Sequence, residues 1–348
     1  MKKKLIFMSV VVLSLLNLFS IYAGGNSEAQ KEPLVFIWYP NESVPEKAEG
    51  RKEIVRIFSE ILDRPIEEQL TTDYSIAIEA LVADNACFSW LGGEGYTQAH
   101  ESNPAILPLV VDSGSSGTLA DAKYYSMLAV LTPNAGLYKA NGKYSIDNLE
   151  QKKFSFVSNS STSGFRVPSS VISQYFASKP KWSTISSEDL LEGGSKMLFA
   201  EVMFGGSHQG SMLNMLLGKS DVSAFCNMCV QDYVQWVEGS YDDPRAGDKV
   251  VIKNNAPEPF NAHSGTTFTL ISTTPVLNAP IVMNTNLLSA EEISKLKSVL
   301  TSDEVAKNEK IFVPKESNFI GIGFKAGVRF VTVEDKWYDP IRELSGLK

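Results

Sequence analysis

Residues 154–168 read FSFVSNSSTSGFRVP and place three structural signals next to one another. The apolar run 154–157 predicts a buried strand, the small hydroxyl residues predict a turn, and Pro168 suits the first turn of a helix. Backbone N–H groups at a helix start lack partners and carry the positive end of the helix dipole. The hydroxyls of Ser161, Thr162 and Ser163 would complete a neutral site for an anion. A well-capped helix after a Ser-rich turn is the alternative interpretation.

The same strand–turn–helix order recurs along the chain. Strands are predicted at 34–38, 66–70, 86–91, 125–131, 154–157, 197–204, 222–225, 250–252 and 267–272. Helices are predicted at 46–62, 74–83, from Tyr96 onward, and at 167–177, 289–300 and 302–310. This alternation predicts an α/β fold with parallel strands.

Composition narrows the class of protein. The chain has 348 residues, of which 43% are hydrophobic and 21% charged, so it can build a core and is neither disordered nor a coiled coil. This length suggests about two domains. A net charge of −8 argues against non-specific binding to nucleic acid, which needs a basic surface.

The N-terminus has the features of a secretory signal. Lys2, Lys3 and Lys4 precede an uncharged apolar run, and small residues follow from Ala23. We therefore predict a signal peptide at residues 1–23 and a periplasmic or otherwise extracytoplasmic location. An uncleaved membrane anchor is the alternative, because the run is nearly long enough to span a bilayer. The first cysteine is Cys87, so the protein is not expected to be a lipoprotein.

The standard catalytic and metal-binding motifs are missing from the sequence. There is no G-x-S-x-G, no H-E-x-x-H and no Walker loop, and none of the three histidines has a second ligand at metal spacing. We therefore expect no catalytic residue, no metal and no cofactor.

Cys226 and Cys229 are separated by two residues. On an extended strand this spacing is too long for a disulfide, whereas on a helical turn it fits. Free buried thiols are the preferred prediction, and a disulfide is the alternative.

Three further positions lie at predicted element starts. His208 follows the turn Gly205-Gly206 at a helix start, Tyr74 begins a helix, and Tyr124 with Tyr125 begins a strand. Each could direct a donor at an anion. A structural histidine and core aromatics are the alternative interpretations.

Taken together, these segments resemble the phosphonate- and phosphite-binding periplasmic proteins of ABC importers, the PhnD-like family. The resemblance covers nearly the whole mature chain, and its most specific part is Ser-Thr-Ser-Gly followed by Val-Pro. The segments are 72–75 (TDYS), 89–96 (SWLGGEGY), 124–128 (YYSML), 160–168 (SSTSGFRVP), 205–208 (GGSH) and 217–222 (LGKSDV).

The resemblance implies a type II periplasmic-binding fold with a ligand cleft between two lobes joined by two crossover strands. We place lobe one at 31–128 plus 273–348 and lobe two at 129–272. It also implies capture of a phosphonate, phosphite or related phosphorus oxyanion, delivery to an ABC permease in the membrane, and action as a monomer.

The resemblance also implies the ligand contacts. In the family, the Ser-Thr-Ser hydroxyls and amides hold the phosphonate oxygens, which maps onto Ser161, Thr162 and Ser163. The family's histidine maps onto His208, and its tyrosines map onto Tyr74 and one of Tyr124 or Tyr125, with Tyr125 preferred. A protonated His208 would bind the anion more tightly below a pKa of about 6.5.

Departures from the family pattern bear on the ligand's substituent. Relatives that bind aminoethylphosphonate carry acidic residues where this chain has Met228 and Ala279, so we expect a ligand without an ammonium group. Where the family has Gly-Pro before the aromatic turn, this chain has Gly92-Gly93-Glu94, and Glu94 is expected to point away from an anion, although it could supply a carboxylate. The alternative functions are a receptor for a sulfonate, a carboxylate or a vitamin precursor, and a secreted hydrolase.

Overall fold

The computed structural model describes residues 31–314, 316–317 and 319–346. The predicted signal peptide at residues 1–23 lies outside them. Within the described part of the chain, no helix combines the length and apolar character needed to cross a membrane.

Fifteen strands are formed by the described residues. They are β1 (Leu34–Trp38), β2 (Ile66–Leu70), β3 (Phe88–Trp90), β4 (Ile106–Asp112), β5 (Lys123–Leu131), β6 (Lys139–Ala140), β7 (Lys143–Tyr144), β8 (Lys153–Phe156), β9 (Glu201–Phe204), β10 (Val222–Cys226), β11 (Val234–Glu238), β12 (Lys249–Ile252), β13 (Thr267–Leu277), β14 (Ile281–Asn284) and β15 (Phe330–Val331).

Nine α-helices accompany them in the same residues. They are α1 (Ala48–Leu62), α2 (Tyr74–Val82), α3 (Gly93–Ser102), α4 (Val167–Ala177), α5 (His208–Leu216), α6 (Asn227–Val230), α7 (Ala290–Leu300), α8 (Asp303–Ala306) and α9 (Asp339–Ser345). A π-helical turn, Thr162–Arg166, leads directly into α4.

The strands form two large mixed sheets. The first has six strands in the order β15-β4-β14-β3-β1-β2, and the second has seven in the order β11-β12-β13-β5-β10-β8-β9. β1 is parallel to β2 and β3, and β8 is parallel to β9 and β10. The predicted α/β class with parallel strands is therefore confirmed, with antiparallel strands added to both sheets.

Two long strands lie where the chain enters and leaves the second sheet. β5 and β13 pair antiparallel from Lys123 opposite Leu277 to Leu131 opposite Phe268, with one register shift between Leu270 and Ser272. The chain thus passes from the first sheet to the second before β5 and returns after β13. The predicted lobe boundaries stay a prediction.

Aromatic side chains fill the core beneath the first sheet. Phe36 and Trp38 of β1 stack with ring centroids 4.2 Å apart, and Phe58 of α1 packs edge-on to Phe36 at 5.5 Å. All three are 0% exposed. Burying each such side chain stabilises the fold by about 1.5–3 kcal/mol, which holds α1 against β1.

Several element boundaries differ from the sequence prediction. The strand predicted at 197–204 covers only Glu201–Phe204, and the helix predicted at 302–310 covers only Asp303–Ala306. β4 was not predicted from the sequence, and it contains Pro108, which lacks a backbone N–H for the ladder. Here Pro108 lies opposite Val282, next to a register shift in β14.

Candidate functional site

A small cavity lies where the two sheets meet, beside the ends of β1, β3, β8 and β10. Its volume is about 40 Å³, and it is lined by Tyr39, Asn41, Glu42, Tyr74, Trp90, Gly92, Tyr124, Ser161, Thr162, Ser163, His208, Met228, Cys229 and Ala279. Ligands of α/β proteins bind outside the carboxyl ends of parallel strands, which is where this cavity lies.

The hydroxyl turn, defined as Ser161, Thr162 and Ser163, forms one wall. All three residues are buried. Ser161 caps the turn, because its Oγ accepts a hydrogen bond from the amide of Gly164 at 3.1 Å. Thr162 and Ser163 are the first two residues of the π-helical turn, so their amides have no intrahelical acceptor. The turn therefore presents both hydroxyls and amides to the cavity.

Thr162 also connects the two sheets. Its Oγ1 accepts a hydrogen bond from the amide of Glu94 in α3 at 2.9 Å, which leaves the hydroxyl hydrogen available to a ligand. Gly92, just before α3, permits this approach, because a Cβ there would lie 2.5 Å from Thr162 Oγ1. Ser126 of β5 fixes the turn from the other side by donating to the carbonyl of Ser163 at 2.6 Å.

His208 is the first residue of α5 and is buried. Its backbone N–H donates to Oδ1 of Asn41 at 3.0 Å, and its Nδ1 accepts from the amide of Cys226 at 3.0 Å. A neutral imidazole whose Nδ1 accepts must carry its hydrogen on Nε2. The ring therefore offers an N–H donor to the cavity.

Burial holds the His208 ring in this neutral form. Burial, with the charge of Lys47 as a smaller cause, lowers the pKa of His208 from 6.5 to about 3. The expectation that the imidazole becomes protonated below pH 6.5 and then binds an anion more tightly is therefore corrected. A neutral N–H donor works throughout the physiological pH range.

Two tyrosines stand over the hydroxyl turn. Tyr74 Oη accepts from Nδ2 of Asn41 at 2.6 Å, and Ser161 lies beside it in the cavity lining. Burial raises the pKa of Tyr124 to about 12, although the nearby hydroxyls of Ser163 and Thr162 act in the opposite direction. Both phenols stay protonated at neutral pH and can donate.

Tyr125 lies away from the cavity, and the preference for it over Tyr124 is corrected. Its phenol donates to Asp243 at 3.3 Å. Successive side chains of a strand point to opposite faces, so Tyr124 and Tyr125 of β5 cannot both face the hydroxyl turn. Of the predicted contacts, the structure brings Ser161, Thr162, Ser163, His208 and Tyr74 together around the cavity and leaves out Tyr125.

The sequence analysis missed a group that follows β1, namely Tyr39, Asn41 and Glu42. Asn41 joins Tyr74 to the start of α5 through the two hydrogen bonds described above. Tyr39 is buried, and its hydroxyl has no hydrogen-bond partner among the described residues. A usable signal existed, because residues after the first strand of an α/β sheet face the ligand crevice.

An apolar wall also lines the cavity. It consists of Trp90, Met228 and Ala279. The Trp90 indole N–H donates to the carbonyl of Ala279 at 2.9 Å and is not directed at a ligand. Met228 and Ala279, which stand where aminoethylphosphonate-binding relatives carry acidic residues, thus both line the cavity.

Glu94 is held outside the cavity lining. It is 0% exposed, and its Oε1 lies 3.0 Å from Nη2 of Arg166, while the Ser345 hydroxyl donates to its Oε2. Its negative charge is thus neutralised by Arg166, directly after the hydroxyl turn. The structure directs this carboxylate away from the anion side, as expected.

Cys226 and Cys229 form a disulfide, which corrects the preference for free thiols. Cys226 is the N-cap of α6, and the helical turn brings the two Cα atoms to 5.4 Å. The ligand atoms of His208, Cys226 and Cys229 lie within 4.8 Å of one another, the spacing of a metal site. With both sulfurs in a disulfide, this trio offers no thiolate to a metal.

Comparisons with known proteins agree with this geometry. The family model described as "ABC transporter, phosphonate, periplasmic substrate-binding protein" matches residues 36–338. No curated protein matches the chain significantly.

Solved structures share the fold. PhnD1 from Prochlorococcus marinus in complex with methylphosphonate has a TM-score of 0.63 and 17% identity, covering 90% of this chain and 97% of that chain. A binding component of an ABC phosphonate transporter from Pseudomonas aeruginosa has a TM-score of 0.63 and 15% identity, covering 90% and 85%. A Xanthomonas citri protein bound to chloride has a TM-score of 0.56 and 14% identity, covering 90% and 96%. The predicted fold class is confirmed.

Proposed function

The chain belongs to the phosphonate family of ABC-transporter periplasmic substrate-binding proteins, and we propose that it captures a small phosphonate or related phosphorus oxyanion outside the cytoplasm. The family is a transporter component and not an enzyme family. The receptor would deliver its ligand, as a monomer, to a membrane permease.

One observation carries this proposal, namely the convergence of neutral donors on a single small cavity. The hydroxyl turn, the Nε2–H of His208 and the phenols of Tyr74 and Tyr124 all border it, and no Lys or Arg in the described part of the chain belongs to its lining. A tetrahedral oxyanion accepts several hydrogen bonds at once, and bonds to an ionised acceptor are about twice as strong as neutral ones. An acidic protein can therefore hold an anion, because the donors act at contact while its net charge is screened.

The cavity also limits the ligand's substituent. A volume of about 40 Å³ suits an oxyanion with at most a short group attached. That group would meet Trp90, Met228 and Ala279, which offer no counter-charge to an ammonium. Burying an unpaired ammonium costs several kcal/mol, so a methyl group or a hydrogen is the favoured substituent.

Closure of two lobes around the ligand is part of the proposal. The lobes would be 31–128 plus 273–348 and 129–272, with β5 and β13 as the crossover strands. The hydrogen bond from Glu94 to Thr162 and the ion pair from Glu94 to Arg166 would tie the closed form together. A hinge motion of this kind is common among receptors that enclose a small ligand.

Calorimetric titration of the mature protein tests the proposal. Methylphosphonate, phosphite, phosphate and 2-aminoethylphosphonate are titrated at one pH and ionic strength, with methanesulfonate and acetate as phosphorus-free ligands. We expect the first three to bind at least tenfold more tightly than 2-aminoethylphosphonate, a difference of about 1.4 kcal/mol.

Two results would contradict this. Binding of methanesulfonate or acetate with no binding of any phosphorus ligand would identify a receptor for another solute. Tightest binding of 2-aminoethylphosphonate would retain the phosphorus ligand but overturn the argument from the apolar wall. Mass spectrometry of ligand that co-purifies with the protein provides an independent check.

A further inference from the structure

Among the described residues, Glu42 is the only carboxyl residue that lines the cavity, and no ligand contact was expected from it. It follows β1 and is 5% exposed. Two cations act on its carboxylate through space. Of these, Lys47 donates from Nζ to the carbonyl of Ile322 at 3.1 Å, and Arg51 binds Glu68 and the backbone carbonyls of Glu42 and Val44. The Glu42 backbone N–H also acts on the carboxylate, but no hydrogen bond among the described residues joins it to another side chain, so the carboxyl group can contact a ligand in the cavity.

The surroundings of Glu42 come from several elements of both sheets. The titratable and charged groups near it are Tyr39 after β1, Lys47 and Arg51 at α1, Tyr74 of α2, Tyr124 of β5, His208 of α5 and Tyr233 after α6. The phenols and the imidazole are neutral at pH 7, so Lys47 and Arg51 are the charges that oppose desolvation of the carboxylate. Burial outweighs them and raises the pKa of Glu42 from 4.5 to about 7.

A fully ionised Glu42 beside an oxyanion would place two like charges in one desolvated cavity. Two such groups do not both ionise readily, and the usual resolution is a shared proton. A protonated carboxyl is a hydrogen-bond donor, and its bond to an anionic oxygen is short and strong. Phosphorus oxyanions suit this arrangement, because their second ionisation occurs near neutral pH. In phosphate esters, for example, the second pKa is about 6.

We propose that Glu42 shares one proton with the bound phosphorus oxyanion, so that the carboxyl and the ligand occupy the cavity with that proton between them. This inference rests on the proposed function and adds to it a residue that selects ligand by proton content. The bound complex keeps a proton that the free partners lose in alkaline solution. Once the pH is high enough that unliganded Glu42 and the free ligand have both lost this proton, affinity must fall about tenfold for each further pH unit.

The experiment measures methylphosphonate and methanesulfonate binding to wild type and Glu42→Gln from pH 6 to 9. Glutamine is isosteric and donates from a neutral N–H, so it removes the proton linkage while retaining a donor. We expect wild-type affinity for both ligands to fall about tenfold between pH 8 and 9, and that of Glu42→Gln to change less than twofold. In buffers of different ionisation enthalpy, wild type should take up about one proton at pH 8.5 and Glu42→Gln none.

Asp112→Asn is the matched control. Asp112 is also buried with its pKa raised to about 7 by burial, but it does not line the cavity and accepts from the Asn278 side chain at 3.0 Å. An asparagine can keep that bond through its own oxygen, and we expect this variant to retain the wild-type pH dependence.

Each contrary result has a distinct meaning. Equal pH dependence in wild type and Glu42→Gln, or its loss in Asp112→Asn instead, overturns the inference and leaves the proposed function standing. If Glu42→Gln does not fold, the wild type still provides a test. Ligand binding by wild type without proton uptake overturns the shared-proton inference and leaves the proposed function standing. Tightest binding of 2-aminoethylphosphonate, lost in Glu42→Gln, would make Glu42 an ammonium partner instead. No methylphosphonate binding at any pH overturns the proposed function and this inference together.

Discussion

The backbone amide of Cys226, at the end of β10, donates to Nδ1 of His208, at the start of α5, across 3.0 Å. This bond connects the disulfide turn to the imidazole and determines which ring nitrogen carries hydrogen. It also makes His208 both a structural and a ligand-facing residue, two roles that the sequence analysis treated as alternatives.

Substitutions at His208 can separate these two roles. In His208→Asn, the side-chain oxygen can replace Nδ1 as acceptor for Cys226, but no donor remains at the position of Nε2. In His208→Gln, an N–H donor reaches about as far as Nε2. We expect His208→Asn to weaken methylphosphonate binding by about 10- to 150-fold, from loss of a hydrogen bond worth 1.5–3 kcal/mol, and His208→Gln to lose clearly less. Equal losses in calorimetry would contradict the Nε2 assignment.

Acid stability should report the lowered pKa of His208, which burial holds at about 3 in the folded state. The unfolded imidazole titrates near 6.5, so the unfolded state binds more protons below that pH. The free energy of unfolding therefore falls as pH decreases from about 6.5 toward 3. Between pH 6.5 and 4.5, wild type should lose about 2–3 kcal/mol more than His208→Asn in denaturant titrations. A histidine signal from His208 that titrates near pH 6.5 in NMR spectra would disprove this.

The hydroxyl turn should account for much of the affinity. Thr162→Ala with Ser163→Ala removes two donors to a charged group, each worth about 1.5–3 kcal/mol, so methylphosphonate affinity should fall at least a hundredfold. Ser160→Ala is the matched control, because Ser160 precedes the turn and does not line the cavity. We expect its affinity to stay within twofold of wild type. Retained affinity in the double variant would remove the turn from the ligand site.

Glu94 and Arg166 should matter for stability more than for ligand chemistry. Their side chains are 1% and 13% exposed, and removing one charge of a buried pair typically costs about 3–5 kcal/mol. Glu94→Gln should lower the free energy of unfolding by about 3 kcal/mol. Glu188, the second carboxylate near Arg166 at 3.7 Å, is 70% exposed, so Glu188→Gln should change it by under 0.5 kcal/mol. If the two substitutions lowered the free energy of unfolding equally, the buried Glu94–Arg166 pair would contribute no more than the exposed Glu188.

Local sequence patterns determined the strand–turn–helix segment at 154–177 and hence the hydroxyl turn that we propose as an anion site. The helix start, its Ser161 cap and its hydroxyls depend on residues within a few positions of one another, so periodicity and capping rules suffice. The same holds for α1, β2 and α2, whose predicted bounds differ from the observed ones by two residues or fewer.

Only the tertiary structure decided which side chains meet at the cavity. Tyr124 rather than Tyr125 faces it because the pairing of β5 with β10 and β13 sets which face of the strand points inward. The Cys226–Cys229 disulfide formed because β10 ends in a helical turn at Cys226, a local change of backbone that the residue spacing left open. Glu42 lies at the site after β1, where Arg51 of α1 binds its carbonyl, and its raised pKa comes from burial among residues that include distant ones such as His208, which no local pattern encodes.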